Sequence, residues 1–317
     1  MNNVKDRRYI VLCGGVGGSR FADGLAQILP PSALTIIVNT ADDFDHLGLR
    51  ICPDIDTVTY MLSGLVDEAR GWGRGDESWS ALEVLGTLGQ PTWFQLGDRD
   101  LGLHLARSHL LAEGHSLTET TVALSSRLGV AHPILPMCDE PVASVLATDE
   151  GNLDFQRYFV QRRCEPIVSS HYLTGIDQAR ISDRVASALA DQSLAGIFIA
   201  PSNPILSIAP ILAVPGMRDA IRATGVPVLA VSPFVEGRPV KGPLAKLFAE
   251  LGMAAGDPGL FEYYRNLVDM FVADSFDGAL DNGAMVFRTD LLMADANGRS
   301  RLAAFCLKSI HADSAAR

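Results

Sequence analysis

The sequence of 317 residues has no run of roughly eighteen apolar residues, the length a helix needs to cross a bilayer. Its N-terminus, MNNVKDRRYIVLCGG, passes straight into a short strand-like pattern without the charged start and apolar stretch of a secretion signal. A soluble, cytoplasmic protein is expected, with no membrane partner. It also has no lysine–arginine run, and 26 basic residues stand against 37 acidic ones, so a nucleic-acid groove is not expected. Cysteine is sparse: Cys13, Cys52, Cys138, Cys164 and Cys306 show neither zinc-site spacing nor the density of a disulfide scaffold, which fits a reducing compartment. Repeats, low-complexity tracts and linkers are missing as well, so a single domain over residues 1–317 is expected.

What is present is an alternation of β-branched apolar runs with stretches of helical period. That pattern predicts an α/β fold, Rossmann-like, with a mainly parallel sheet and flanking helices. The expected strands are Tyr9–Cys13, Leu34–Val38, Ile134–Pro136, Gly196–Ala200, Val226–Ser232 and Val268–Val272. Between the second and third lies a mainly helical insertion at about 58–130, including Trp79–Gly89, Asp98–Gly114 and Ser116–Gly129. Ser116 and Glu119 have capping-box spacing. Val142–Thr148 and Leu153–Phe159 predict a β-hairpin across Asp149–Asn152.

Gly14-Gly15-Val16-Gly17-Gly18 follows the first strand and precedes a helical period, a turn that brings backbone donors and a positive helix end to a phosphate. Arg20 stands where a Rossmann fingerprint needs glycine, and no Walker lysine follows, so neither common phosphate loop is present. Glycines serving a tight turn are the plain alternative. Ala200-Pro201-Ser202-Asn203-Pro204 offers polar groups at another strand end, and Lys241 in Val240-Lys241-Gly242-Pro243 a charge at a third. Ligands of open α/β sheets bind where such loops collect.

Ile36–Thr57 joins a buried-strand pattern to five aspartates. Asn39–Asp45 ends the second strand and Pro53-Asp54-Ile55-Asp56-Thr57 starts a helix, so both should face the crevice of the glycine turn. Capping and solubility account for single aspartates. Five beside a phosphate turn suggest Mg2+, which takes one or two carboxylates with phosphate oxygens and water. Asp98 and Asp100 open a helix bearing His104, Arg107 and His109, a spacing unlike a zinc helix and readable as caps and surface ion pairs. No Gly-x-Ser-x-Gly elbow is present, so covalent catalysis is not the first expectation.

In the same order as here, Gly-Gly-Val-Gly-Gly, Asn-Thr-Ala-Asp-Asp, Cys-Pro-Asp-Ile-Asp-Thr, Leu-Gly-Asp-Arg-Asp, Leu-Pro-Met, Pro-Ser-Asn-Pro and Val-Lys-Gly-Pro make the chain resemble the 2-phospho-L-lactate transferase family from about Ile10 to Leu292. The resemblance implies an enzyme of coenzyme F420 biosynthesis: a Mg2+-dependent phosphotransferase moving a phospho-acid unit from a guanosine-diphosphate-linked donor to the deazaflavin Fo, with release of GMP. It implies Gly14, Gly15, Gly17 and Gly18 at the donor phosphates, and Asn39, Thr40, Asp98, Ser202, Asn203 and Lys241 at substrate or nucleotide. Asp43 and Asp56 are implied for catalysis and metal, with Asp54 in reserve as a metal ligand. Trp93 and Phe94 are expected in a wall for the acceptor ring, and a homodimer is the expected assembly. The competing reading is a nucleotide-sugar-binding regulator of a related non-enzymatic branch.

Overall fold

In the computed structural model, which describes residues 7–240, 242–274 and 284–311, the first apolar run forms β1 (Arg8–Cys13) and the glycine segment opens α1 (Gly15–Ile28). β2 (Leu34–Val38) follows, then a hairpin of β3 (Phe44–His46) and β4 (Leu49–Ile51). Its turn residues Leu47 and Gly48 both have positive φ, 52° and 78°, the handedness that suits a two-residue hairpin turn. Helices α2 (Pro53–Leu62), α3 (Ser80–Thr87), α4 (Asp98–Ala112) and α5 (Leu117–Arg127) lead to β5 (Ile134–Pro136). The Ser116–Glu119 capping box is formed at the start of α5.

Next come β6 (Ala143–Thr148), β7 (Gly151–Asp154) and β8 (Val168–Thr174), an antiparallel sheet with β6 in the middle. The expected hairpin is present, but its second strand stops at Asp154 and β8 is an unforeseen partner. Phe155 and Phe159 stack at 5.3 Å beside a π-helical turn, Arg157–Gln161. A strand continued through these residues would carry Arg157 on the same face as both phenylalanines.

The α/β alternation resumes with α6 (Asp183–Leu189), β9 (Leu194–Ile199), α7 (Ala209–Ala213), α8 (Met217–Ala223) and β10 (Val228–Val231). After a ribbon of β11 (Phe234–Val235) and β12 (Arg238–Pro239) come α9 (Leu244–Glu250), α10 (Gly256–Tyr264), β13 (Met270–Ala273), β14 (Met285–Arg288) and α11 (Ala296–Ser309). The main sheet has seven strands in the order β14-β13-β10-β9-β1-β2-β5, and every pairing is parallel. The short edge strand β14 was not among the expected runs, although Met285, Val286 and Phe287 are apolar; the other six match the expected runs closely.

Strand residues alternate between two cores. Val11, Ile36, Phe198 and Val231 face Phe21, Val58 and Leu302 of α1, α2 and α11. Ile10, Ile37, Ile199 and Ala230 face Ile211, Leu247 and Phe261 of α7, α9 and α10. Helices on both faces explain why these strands are near-continuous hydrophobic runs. Among the described residues no single helix is long and apolar enough to cross a membrane.

Candidate functional site

The carboxyl ends of β2, β1 and β9 lie side by side in the sheet, which places the Asn39–Asp43, Gly14–Gly18 and Pro201–Asn203 segments together. The backbone extends that alignment, with Asn39 N–H donating to Cys13 O and Ala200 N–H to Leu12 O, both at 3.0 Å. The glycine segment is more compact than a loop: Gly14 is the N-cap and Gly15 already begins α1. Three of its glycines are needed by the protein's own packing. A Cβ at Gly17 would stand 2.6 Å from Pro201 O, one at Gly14 would meet the Asp54 carboxylate and Ser207, and one at Gly18 would meet the Ser202 hydroxyl. Gly15 has φ of 63° and open space around it.

Ser202 and Asn203 are largely occupied within the chain. The Ser202 hydroxyl accepts from Gly14 N–H at 3.1 Å and donates to Gly14 O at 2.8 Å, locking the two loops together. Asn203 Oδ1 caps the next helical turn by accepting from Ile205 and Leu206 N–H, both at 3.0 Å. The Thr40 hydroxyl lies against the Cys138 thiol at 3.9 Å. Lys241 lies outside the described residues.

The aspartates divide between two environments. Asp54 and Asp56, two residues apart on α2, point to different sides, as residues at that helical spacing must. Asp54 accepts from Gly15 N–H at 2.7 Å, so this carboxylate holds a donor at the start of α1. Asn39 Nδ2 donates to both Asp42 (2.8 Å) and Asp54 (2.9 Å). Burial, opposed by these bonds, pushes Asp54 up to about 6, and burial with the neighbouring Asp54 raises Asp42 well above the usual carboxylate range.

On the other side, Asp56 forms a fully buried two-pronged ion pair with Arg107 of α4. His104 lies 3.1 Å from Arg107 and 3.7 Å from Asp56, and its far nitrogen is 3.2 Å from Asp100, outside hydrogen-bond angle. Tyr60 donates to Asp100. Burial alone would raise Asp100, yet His104, Tyr60 and Arg107 hold it below the usual range. The surface pairs expected on α4 are therefore a buried polar seam at His104 and Arg107; only His109 reaches an exposed partner, Glu113.

Asp43 is different. Its side chain is wholly buried, neither oxygen has a hydrogen-bond partner, and the nearest guanidinium, Arg50, is 3.8 Å away. Burial pushes it up to about 7 against the opposing pull of Arg50, the Cys52 thiol and Arg107. The expected metal group of Asp43, Asp54 and Asp56 is thus not a converged one: among the described residues no three His, Cys, Asp or Glu side chains are placed to hold a metal ion together. The reason is helical geometry, which turns Asp54 toward α1 and Asp56 toward α4. Asp43, whose oxygens make no close hydrogen bond, still fits Mg2+, whose other ligands are typically phosphate oxygens and water.

Asp98 has a local role. Its carboxylate accepts from the Ser78 hydroxyl and from Ser80 and Ala81 N–H, capping α3, while Glu77 accepts from Arg99 and Asp100 N–H at the start of α4. The two helices cap each other.

Directly after Asp43, the β3 residues Phe44 and His46 share one face and meet Trp93 and Phe94. The rings are mutually close, from 4.9 Å for Phe44 with Phe94 to 6.1 Å for Phe44 with Trp93. Phe44, Trp93 and Phe94 each keep part of their surface in solvent. Phe44 and His46 were missed in the sequence because each sits directly between charged or exposed neighbours, Asp43 and Asp45 for one, Asp45 and Leu47 for the other; the period-two spacing was their only signal.

Comparison with known proteins adds four findings. The family model described as 2-phospho-L-lactate transferase CofD matches residues 9–296. The chain is 39% identical over 299 residues to the 2-phospho-L-lactate transferase of Methanosarcina mazei, covering 93% of this chain and 97% of that one. It is 37% identical over 307 residues to the phosphoenolpyruvate transferase of Streptomyces griseus, covering 93% and 96%. Among solved structures, a UPF0052 family protein from Bacillus halodurans superposes with a TM-score of 0.54 at 19% identity, covering 87% of this chain and 83% of that one, a likeness of fold.

Proposed function

The chain belongs to the 2-phospho-L-lactate transferase family, and from that premise we propose that it moves a phospho-acid unit from a guanosine-diphosphate-linked donor to the ribityl hydroxyl of the deazaflavin Fo in coenzyme F420 biosynthesis. The acceptor oxygen bonds to the phosphorus carrying the acid, the bridging P–O bond breaks, GMP leaves with the electron pair and the hydroxyl proton is released. The acid is 2-phospho-L-lactate or its phosphoenolpyruvate or phosphoglycerate equivalent, and the relatives' names include the first two transferases.

The observation that carries this reading is Asp43: a wholly buried carboxylate whose nearest cation, Arg50, stays 3.8 Å away, just after the end of β2 and immediately before a partly exposed aromatic cluster. Transfer of this kind is mainly positioning and charge neutralisation. Asp43 would hold Mg2+, which when bound neutralises the diphosphate and the charge developing on GMP. Asp54 and Asn39 fix the start of α1, where Gly15 and the following backbone face the donor phosphates. Asp56 and Arg107 hold α2 against α4. Phe44, Trp93 and Phe94 supply the wall for the acceptor ring. Ser202, Asn203 and Thr40 border the nucleotide, and Lys241 is assigned to its charge from the sequence motif alone. The protein works in the cytoplasm as a homodimer, for which light scattering should give twice 33.9 kDa.

Purified protein incubated with Fo, Mg2+ and each guanosine-diphosphate-linked donor should yield the corresponding phosphodiester and GMP by mass spectrometry, and lose that activity in excess chelator. Absence of product with all three donors counts against the reading.

A further inference from the structure

His46 is 6% exposed, and its Nε2 has no hydrogen-bond partner among the described residues. A buried nitrogen left in that state costs stability that a phenyl ring of similar shape would not. The packing itself makes no use of the nitrogen: the imidazole meets Trp93 edge-on at 5.4 Å and Phe44 and Phe94 at 5.9 Å each, contacts any aromatic ring can make. The ring is also held in place by its surroundings. Its strand β3 pairs with β4, and β4 is fastened to α4 by Arg50 N–H donating to the Ser108 hydroxyl (2.8 Å) and Arg107 donating to Arg50 O (3.3 Å). Two buried polar groups, Asp43 and His46, the latter with its Nε2 unpartnered, therefore flank Phe44 on a hairpin that is clamped to the rest of the protein.

We propose that His46 is a specificity-determining residue for the aromatic acceptor, its Nε2 hydrogen-bonding a polar edge of a planar heteroaromatic ring that packs against Phe44, Trp93 and Phe94. The inference rests on the acceptor reading above and assigns to one side chain the choice among flat rings of similar size. An apolar wall accepts any such ring; a buried nitrogen rejects one that leaves it unpaired. Burial lowers the imidazole pKa, so the ring is neutral and offers one donor and one acceptor nitrogen.

The test compares wild type, His46→Phe and His46→Gln. Thermal melting reports stability, fluorescence titration reports Fo binding, and the melting shift with GDP reports the nucleotide side. His46→Phe is expected to melt at or above wild type and to bind Fo about tenfold more weakly, the effect of one lost hydrogen bond. KM for Fo should rise with kcat little changed, the GDP shift should persist, and His46→Gln should recover part of the affinity. Unchanged Fo affinity in His46→Phe overturns the inference alone. So does a joint loss of stability and Fo affinity, which marks a structural role, or loss of the GDP shift. A wild-type protein with no saturable Fo signal overturns the inference together with the acceptor reading.

Discussion

Ionising Asp43 puts a wholly buried charge where the Arg50 guanidinium at 3.8 Å and the Cys52 thiol only partly offset its burial, and this has a consequence for stability. Burial lifts its folded pKa to about 7, above the unfolded value of about 3.9. Between those values the folded chain keeps a proton that the unfolded chain has released, so the stability contributed at pH 4 is lost as pH rises through 7. In chelator, the melting temperature should fall over that interval, more shallowly for Asp43→Asn, which should also melt above wild type at pH 8. With Mg2+ the same variant is expected to lose roughly 100-fold in turnover, the scale of an electrostatic catalytic group; an unaltered pH slope or full turnover would remove Asp43 from the site. Asp56 differs in having a direct buried partner, Arg107. Arg107→Met leaves a buried charge unpaired and should cost about 3–5 kcal/mol in urea unfolding, whereas Asp56→Leu with Arg107→Met should recover most of it. Asp56→Asn, which the sequence alone presents as removal of a catalytic charge, is expected to lose stability as well. A cost below about 1 kcal/mol for Arg107→Met would mean that water screens the pair.

At the scale of elements, glycine has opposite meanings in two helices. Gly17 in α1 touches the backbone of the Pro201 loop, and a carbonyl cannot swing aside as a side chain can. Gly17→Ala should therefore cost about 1–3 kcal/mol and weaken the GDP melting shift by displacing one loop from the other. Gly102 in α4 has open space at its Cβ position and ordinary helical φ. Gly102→Ala should stabilise by about 0.5–1 kcal/mol, as an exposed helical glycine replaced by alanine does. Equal effects from the two changes would show that α1 does not press on the loop. The reciprocal caps of α3 and α4 belong to this scale too: neither Glu77 nor Asp98 caps the helix it would be assigned by sequence proximity alone.

For the whole molecule, the sheet order sets the division of labour. On the proposed reading the donor side would gather where β1 and β9 end, and the acceptor side where β2 ends and the β3–β4 hairpin leans on α4. If that division holds, GDP should raise the melting temperature more than ADP, and Fo should bind to protein already carrying GDP and Mg2+ at least as tightly as to protein alone. Equal shifts from GDP and ADP would count against a guanine-specific donor site.

The sequence by itself determined the parallel sheet, because strands buried on both faces must be apolar along their whole length, and runs such as Tyr9–Cys13 and Leu34–Val38 have no other stable use. It also determined which loops lie at the carboxyl edge, since each polar segment directly follows a strand. Tertiary structure alone decided what those polar groups do. Asp54 and Asp56 look equivalent in Pro-Asp-Ile-Asp, yet helical rotation gives one a backbone N–H of α1 and the other an arginine fifty-one residues away. Ser202 looks in the sequence like a free polar group, but the fold brings Gly14 against its hydroxyl. Asp43, His46 and Arg107 differ from surface residues of the same type only by burial, and burial is set by packing between elements distant in the chain.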